Sequence, residues 1–263
     1  MSSYAIVIGV NHYAPIDDSG LKPLSGAIAD AEAIADWLLN NGGIAQENLF
    51  LLTSIEKRDR VLRNHVEDAV AQITKKIVQE EGSDANRLYF YFAGHGLSNE
   101  MDAEDNGLIM SDWNHFLVNS SALSSSDYRR KFLTEGFFKE IVIWLDCCRT
   151  KKIKLNPTPS SGIYYRGKNK SPKFFVGFAT TYDNAAFEAA SVEDQDHEYR
   201  GVFTRELLKG LNGEAIDEKG RIDSESLTNY LYERVPIAAK EAGFSQEPEI
   251  LKNTAVTRNI FFT

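Results

Sequence analysis

The stretch IVIWLDCCRT, residues 141–150, joins five large apolar residues to a turn that carries a charge and two thiols. A continuous apolar run without helical periodicity is typical of a strand buried on both faces, as in the middle of a parallel sheet. Directly after this run come Asp146, Cys147, Cys148 and Arg149. They therefore belong at the carboxyl end of the predicted strand, where open α/β sheets place their ligand and reaction sites.

A second buried strand is predicted over Leu88–Phe92, and it ends in Ala93-Gly94-His95-Gly96. Because the carboxyl ends of parallel strands meet at one edge of a sheet, the two stretches bring an imidazole and a thiol together. A cysteine with a histidine beside it is the minimum apparatus of a thiol nucleophile and its base. His95 is therefore the candidate base of a nucleophilic site.

Side chains alternate along a strand, so Asp146 and Cys148 are expected on one side and Cys147 on the other. We interpret Cys148 as the nucleophile and Cys147 as a core residue, as free cysteines usually are. The backbone N–H groups of Gly96 and Cys148 are the candidate oxyanion donors, since a glycine lets the chain approach a substrate carbonyl. Zinc is a poor alternative, because adjacent cysteines lack the two-residue gap of chelating pairs.

The rest of the chain alternates between strand and helix patterns, which predicts a parallel α/β sheet with helices on both faces. We predict the start of the first long helix at Ala27, with Ser25 as its N-cap, and polar connections over Leu97–Asn106 and Asp183–Glu198. The other predicted strands are Tyr4–Val10, Leu49–Leu52, Phe174–Ala179 and an edge strand at Asn259–Phe262, with a short hairpin arm at Gly107–Met110. The other predicted helices are Arg58–Gln79, Ser124–Leu133, Thr204–Leu211 and Ser224–Val235.

Composition narrows the class of protein. The chain has 263 residues, a formal charge of −9 and 43% hydrophobic residues, which suits one compact domain with a large core. A net acidic chain is not expected to bind nucleic acid generally. No apolar run approaches the roughly eighteen residues of a membrane span, so no membrane partner is expected. With two adjacent cysteines and no structural disulfide, we expect a soluble, cytoplasmic protein in a reducing compartment.

Several stretches together resemble the caspase-like cysteine peptidases, closest to the metacaspases and their prokaryotic relatives. The His-then-Cys order, with about fifty residues between the two, is the spacing of that family. The resemblance implies a three-layer caspase-like sandwich with about six mostly parallel strands over residues 1–263. It also implies a large-subunit-like part (1–150), a mobile loop (151–173) and a small-subunit-like part (174–263). The stretches that carry it are YAIVIGVNHY, LSGAIADAEAIADWL, YFYFAGHG and IVIWLDCCR, with GVFT at 201–204 and QEP at 246–248 as weaker matches.

The resemblance assigns roles to individual residues. It implies a catalytic dyad of His95 and Cys148, and an acidic pocket for a substrate Arg or Lys side chain formed by Asp30 and Asp146. A carboxylate on the same side as the thiol can pair with a guanidinium, which agrees with the role of Asp146. For Asp30 the structural alternative is a carboxylate favoured by a helix N-terminus. This chain departs from the metacaspase pattern at Ala93, a serine in that family, and at Arg149, a cation that could lower a neighbouring thiol pKa.

Two further expectations concern charged stretches. The loop 151–173 is basic and contains residues that break regular structure, and it is expected beside the thiol. The resemblance implies that Arg166, Lys168 or Lys170 is a self-cleavage site; the alternative is a solvated connector. The acidic cluster Asp102, Glu104 and Asp105 is either a calcium site or simply solvated; no other cofactor or metal is expected.

We therefore predict a cysteine endopeptidase that cleaves proteins or peptides after a basic residue through a thioester. A ligand, a partner protein or loop processing is expected to switch it on, in a cell-death or antiviral defence pathway. The alternative is a catalytically silent scaffold or ligand-sensing signalling module of the same fold; an intact His95 and Cys148 disfavour it.

Overall fold

The computed structural model describes residues 2–54, 60–81, 85–117, 121–150, 157–190, 199–253 and 260–262. The strands in this part of the chain are β1 (Tyr4–Gly9), β2 (Leu49–Thr53), β3 (Ala85–Ala93), β4 (Gly96–Asn99), β5 (Asp102–Ile109), β6 (Ala122–Ser124), β7 (Phe138–Asp146), β8 (Lys173–Phe178), β9 (Glu188–Ala190), β10 (Tyr199–Gly201) and β11 (Glu249–Lys252). The helices are α1 (Ile16–Ser19), α2 (Ala27–Asn40), α3 (Arg63–Lys76), α4 (Ser125–Glu135), α5 (Val202–Lys209) and α6 (Ser224–Glu241).

The central sheet has six strands in the order β11-β8-β7-β3-β1-β2. All neighbouring pairs are parallel except β11 with β8, which is antiparallel and closes one edge. β3 and β7, which lead to His95 and Cys148, lie side by side in the middle. The predicted mostly parallel sheet of about six strands is confirmed.

Each face of this sheet carries its own apolar core. Alternate residues of β3 supply the two cores, because successive strand side chains point to opposite faces: Leu88, Phe90 and Phe92 enter one, and Tyr89 and Tyr91 the other. Helices α3 and α4 cover the first face, and α2, α5 and α6 cover the second. The prediction of helices on both faces is confirmed.

The start of α2 differs from the prediction. Ser25 is not the N-cap; Gly26 is, and no side chain caps the helix from that position. The amide groups at this end are bound from elsewhere in the chain. Asn11 Oδ1 accepts from Ile28 N at 3.1 Å, and the Glu188 carboxylate accepts from Ser25 N and Gly26 N. Contacts with residues distant in the sequence have replaced the local cap, and the residues next to the helix start do not indicate such contacts.

The polar connection predicted over Leu97–Asn106 is wrong for most of its length, because β4 and β5 form there and pair with β6 in a second, three-stranded sheet. The short arm predicted at Gly107–Met110 is the end of β5. β4 and the second half of β5 are buried although they contain polar residues, whose side chains are bound inside the structure. Asp105, for example, is buried and accepts from Ser124 Oγ at 2.9 Å and from Asn99 Nδ2 at 3.1 Å.

Three other predicted boundaries are corrected. α6 runs on past the predicted end at Val235 and through Pro236, because Ala238 and Ala239 continue its buried stripe. The connection expected over Asp183–Glu198 contains β9, which pairs antiparallel with β10; residues 191–198 lie outside the described part. The edge strand expected at Asn259–Phe262 is reduced, in its described residues, to one bridge at Phe261, and β11 forms the edge instead.

None of the helices among the described residues combines the length and apolarity needed to cross a membrane.

Candidate active site

The ends of β3 and β7 lie next to each other. Ala93 is in register with Asp146, and Gly94 N donates to the Asp146 carbonyl at 3.2 Å. The pairing continues past the strand ends, where Ser98 N donates to the Thr150 carbonyl at 3.2 Å. The two turns that carry the imidazole and the thiol therefore leave the sheet side by side.

These turns border a cavity of about 280 Å³ at the carboxyl edge of the sheet. It brings together four residues predicted from the sequence: His95, Cys148, Asp30 and Asp146. The remaining lining comes from Leu24, Ala27, Ala93, Gly94, Cys147, Ala186, Phe187, Glu188 and Gly201. A larger groove of about 530 Å³ lies between α3 and residues 161–165, and neither cysteine lines it.

The two cysteines differ in their surroundings. Cys147 is buried in the apolar core, and its Sγ accepts from Asn106 Nδ2 at 3.1 Å. Burial raises the pKa of the Cys147 thiol well above its ordinary value, so this sulfur stays protonated. Cys148 is partly exposed, and its Sγ lies 3.4 Å from Ala186 N and 3.5 Å from Ala186 O. Cys147 is thus a core residue, and Cys148 carries the thiol with access to the cavity.

The imidazole has a partner that the sequence did not indicate. His95 Nε2 lies 2.8 Å from the carbonyl oxygen of Lys22. A carbonyl can only accept, so Nε2 carries the hydrogen and Nδ1 is the ring nitrogen that can take up a proton. A backbone carbonyl leaves no side-chain signal, which is why sequence reasoning missed this group.

Gly96 lies against the cysteine turn. A Cβ atom at this position would fall 2.4 Å from the Cys148 carbonyl oxygen and 2.8 Å from Cys147 Sγ, so only glycine fits. Asn106 Nδ2 donates to the same Cys148 carbonyl at 3.1 Å and fixes the turn from the other side. The predicted oxyanion donors, Gly96 N and Cys148 N, therefore belong to two segments in direct contact.

The two predicted carboxylates meet at Gly201. Asp146 Oδ2 accepts from Thr204 N at 3.0 Å and from Thr204 Oγ1 at 2.6 Å. Asp30 accepts from Gly201 N and from Arg200 Nε, both at 2.7 Å. A Cβ atom on Gly201 would fall 2.1 Å from Asp146 Oδ2 and 2.9 Å from Asp30 Oδ2, so glycine is what lets both carboxylates approach this point.

Both carboxyl groups are buried, and burial raises the pKa of each. Burial, followed by repulsion from Asp146, raises the pKa of Asp30 to about 8, although Arg200 acts in the opposite direction. Burial also raises the pKa of Asp146 to about 6, and the hydrogen bonds from Thr204 limit the rise. Ionising both groups at once is costly here, because both are buried and Asp146 repels Asp30.

Glu188 is a third carboxylate of the cavity, and it is not among the residues predicted from the sequence. Its oxygens accept from Ser25 N at 3.0 Å and Gly26 N at 2.9 Å, so it holds β9 against the start of α2. In the sequence it is one acid in a segment with several others, and no motif distinguishes it.

Arg149 turns away from the cavity. Its side chain is fully buried, pairs with Glu249, donates to the Thr180 carbonyl at 3.2 Å and lies 4.1 Å from the Phe178 ring centroid. It anchors the cysteine turn to β11 and to the end of β8. Its charge lowers the pKa of the buried Cys147, against the larger effect of burial.

The acidic cluster behind the calcium expectation is engaged with the chain itself. Glu104 pairs with Arg129 at 2.6 Å, and Asp105 binds Ser124 and Asn99 as described above. Among the described residues, no three His, Cys, Asp or Glu side chains form a group that could hold a metal. The calcium expectation stays a prediction.

The remaining histidines that the structure describes, His12, His65 and His115, do not line the cavity. His65 Nδ1 accepts from Leu62 N at 3.4 Å, and His115 packs on Phe116. His197 lies outside the described residues.

The expectation that the basic loop lies beside the thiol is wrong for its described basic residues. Gly167 N donates to the Glu135 carbonyl at 2.7 Å, and Asn169 N to the Gly136 carbonyl at 2.9 Å, which places this part of the loop at the amino end of β7. A nine-residue strand spans roughly 30 Å, and Cys148 follows its carboxyl end. The loop crosses from the carboxyl end of β7 to its amino end, because β8 is parallel to β7 and must start at the amino end. Residues 151–156 lie outside the described part.

Comparisons with known proteins show the family and the fold of the chain. The family model of the caspase domain matches residues 2–260. The chain belongs to the caspase domain family of cysteine peptidases. Its curated relatives include a probable protease of a Desulfuromonadales bacterium, 28% identical over 221 residues that cover 81% of this chain and 26% of that protein. The chain thus spans about a quarter of this relative.

Solved structures show the same fold. The caspase-1 of Spodoptera frugiperda matches with a TM-score of 0.61 and 14% identity, over 99% of this chain and 89% of that one. The protein GSU0716 of Geobacter sulfurreducens matches with a TM-score of 0.59 and 14% identity, over 96% and 93%. This caspase-family chain therefore has the caspase-like fold predicted from its sequence.

Proposed function

We propose that this caspase-family chain is an endopeptidase in which Cys148 is the nucleophile and His95 is the base and later the acid. The observation that supports the proposal most is the cavity of about 280 Å³ that both side chains line together with two acidic residues. Cys147 cannot take the role of Cys148, because its sulfur is buried in the core and its thiol pKa is raised.

In the proposed reaction, the Cys148 proton passes to His95 Nδ1 while the sulfur forms a bond to the substrate carbonyl carbon. The Lys22 carbonyl accepts from Nε2–H and so stabilises the imidazolium that forms. His95 then gives the proton to the leaving amine, and the C–N bond breaks to leave a thioester on Cys148. Water, deprotonated by His95, hydrolyses the thioester and restores the thiol.

The negative oxygen of the tetrahedral intermediate needs hydrogen-bond donors in place before the reaction. We assign this role to Gly96 N and Cys148 N. Support comes from the tight contact between the two segments, where Gly96 leaves no room for a side chain against the Cys148 carbonyl.

We further propose that the residue before the cleaved bond is Arg or Lys. Asp30 already has a cation in Arg200, whereas the hydrogen bonds of Asp146 come from the neutral Thr204. A substrate cation beside Asp146 would offset the charge whose burial raises the pKa of that carboxyl to about 6. Glu188 adds to the negative potential of the cavity.

Activation by a ligand, a partner protein or processing of the loop 151–173 remains part of the proposal, as does a role in cell death or antiviral defence. The described basic residues of the loop lie at the amino end of β7, so a second molecule is the better candidate to cut at Arg166, Lys168 or Lys170. Calcium is tested by assays with calcium and with chelator.

The deciding experiment compares Cys148→Ala with Cys147→Ala on a peptide library that varies the residue before the cleaved bond. We expect Cys148→Ala to abolish cleavage of Arg and Lys peptides, and Cys147→Ala to retain it. Loss in Cys147→Ala with activity in Cys148→Ala would refute the assignment, and a preference for aspartate would refute the basic specificity. Wild-type protein that cleaves no peptide, with or without calcium and cell extract, would favour the scaffold alternative.

A further inference from the structure

The backbone of His95 is held by the side chain of Tyr13, a residue of the segment that follows β1. His95 N donates to the Tyr13 hydroxyl at 2.7 Å. The same hydroxyl donates its single hydrogen to the Val10 carbonyl at 3.0 Å. The two bonds are compatible, because a phenol oxygen can donate one hydrogen bond and accept another. The hydroxyl therefore links the end of β1 to the turn after β3.

The Tyr13 ring also supports the imidazole. The two ring centroids lie 4.9 Å apart at an interplanar angle of 46°. The ring packs between the core under α3 and α4 and a small apolar cluster, which hold it in place. This cluster consists of Leu97, Ile109, Trp113 and Ala122. At Gly94, with φ of +159°, a Cβ atom would fall 2.9 Å from the Tyr13 oxygen. The turn at Gly94 thus brings the backbone directly onto this hydroxyl.

Tyr13 and Lys22 hold different parts of the same residue. Lys22 supplies the carbonyl at His95 Nε2, and Tyr13 supplies contacts to the backbone and to the ring. Both belong to the segment between β1 and α2, which is anchored where Leu24 N donates to the Asn11 carbonyl at 3.0 Å. Because the Lys22 carbonyl fixes the hydrogen on Nε2, Nδ1 is the ring nitrogen that can accept a proton.

We propose that Tyr13 is a positioning residue for the reaction: its hydroxyl and ring hold His95 in the orientation from which Nδ1 exchanges a proton with Cys148. This inference rests on the proposed function. Burial raises the pKa of the Tyr13 phenol, so the hydroxyl stays protonated through the assay range and acts by hydrogen bonding alone.

The test is Tyr13→Phe, which removes only the oxygen. One neutral hydrogen bond is worth about 0.5–1.5 kcal/mol, so we expect kcat on an Arg peptide to fall about two- to thirteenfold with KM unchanged. The alkylation of Cys148 by iodoacetamide is expected to slow at neutral pH and to recover at high pH, where the thiolate forms without the base. Tyr128→Phe is the matched control, because its hydroxyl donates to Glu67 at 2.7 Å and it does not line the cavity.

A merely structural role would lower the melting temperature of Tyr13→Phe as in Tyr128→Phe and leave kcat and the alkylation profile unchanged; that result overturns the proposal. Should Tyr13→Phe fail to fold, amide hydrogen exchange of His95 in the wild-type protein decides: slow exchange supports the bond, and exchange at the rate of an open loop refutes it. Side-chain ¹⁵N spectra of His95 need no substrate. They therefore test the positioning even if the wild-type chain cleaves no peptide, an outcome that would remove the proposed function alone.

Discussion

The substitution Asp146→Asn tests the acidic pocket with little steric change. The asparagine oxygen can take the place of Oδ2 and keep both bonds from Thr204, at 3.0 and 2.6 Å, while the amide NH₂ takes the place of Oδ1. The variant thus loses the charge and keeps the volume. With a pKa of about 6, Asp146 is almost fully ionised at pH 7.5, so the whole charge is lost there.

A hydrogen bond to a charged partner is worth about 1.5–3 kcal/mol, which corresponds to roughly a 10- to 150-fold loss in kcat/KM for a peptide with Arg before the cleaved bond. At pH 5 wild-type Asp146 is mostly protonated, and the two proteins are expected to converge. The assay is cleavage of a fluorogenic Arg peptide and of its norleucine counterpart at both pH values. Iodoacetamide alkylation of Cys148 is the control that the proposed dyad of His95 and Cys148 is unchanged in the variant.

An equal loss on the norleucine peptide, or no loss on the Arg peptide, would refute a direct pairing between Asp146 and the substrate cation. The stability of Asp146→Asn against urea is a second test of the buried charge. Since burial raises the pKa of this carboxyl, the ionised group destabilises the fold at neutral pH, and Asp146→Asn is expected to raise the urea midpoint at pH 7.5.

Two more predictions concern the same pocket. Gly201→Ala places a methyl group 2.1 Å from Asp146 Oδ2. Overpacking of this kind costs about 1–3 kcal/mol of folding free energy. We expect KM for Arg peptides to rise, while a thermal melt shows that the chain still folds. Asp30 has a pKa of about 8 against an ordinary 3.8, so between these values the folded chain holds more protons and stability falls as pH rises. Asp30→Asn should flatten this slope by up to about 1.4 kcal/mol per pH unit in urea titrations from pH 5 to 8; an unchanged slope would contradict it.

The central sheet was predictable because its strands are buried on both faces. Runs such as Ile141–Leu145 admit few other structures in a chain of this size. The errors lie where tertiary contacts replace local signals. The polar residues of β4 and β5 form strands because Asp105 has buried partners far along the chain, and α6 continues through Pro236 because its apolar stripe continues.

The site was predictable to the extent that its residues sit at strand ends. His95, Cys148 and Asp146 each follow or close a buried strand, and a parallel sheet brings such ends to one edge. The missed groups are of a different kind. The Lys22 carbonyl is backbone, and Glu188 and Arg200 lie in loops or short strands whose positions depend on the fold around them. No periodicity or spacing connects them to His95 and Cys148.

The charges around Asp146 support the proposed specificity better than they support a role in stability. Arg200 donates to Asp30 directly, and two N–H groups at the start of α2 bind Glu188, whereas the donors to the Asp146 carboxylate in the described part of the chain belong to the neutral Thr204. Arg200 acts on Asp146 through space, and the pKa of this carboxyl is still raised. A buried carboxylate without a bonded cation destabilises the fold, and an asparagine would satisfy Thr204 at lower cost. Under the proposed specificity, the substrate supplies the missing cation and lowers the pKa of Asp146. Binding of an Arg peptide near pH 6 should therefore release a proton, whereas a peptide without a positive side chain offers no such compensation.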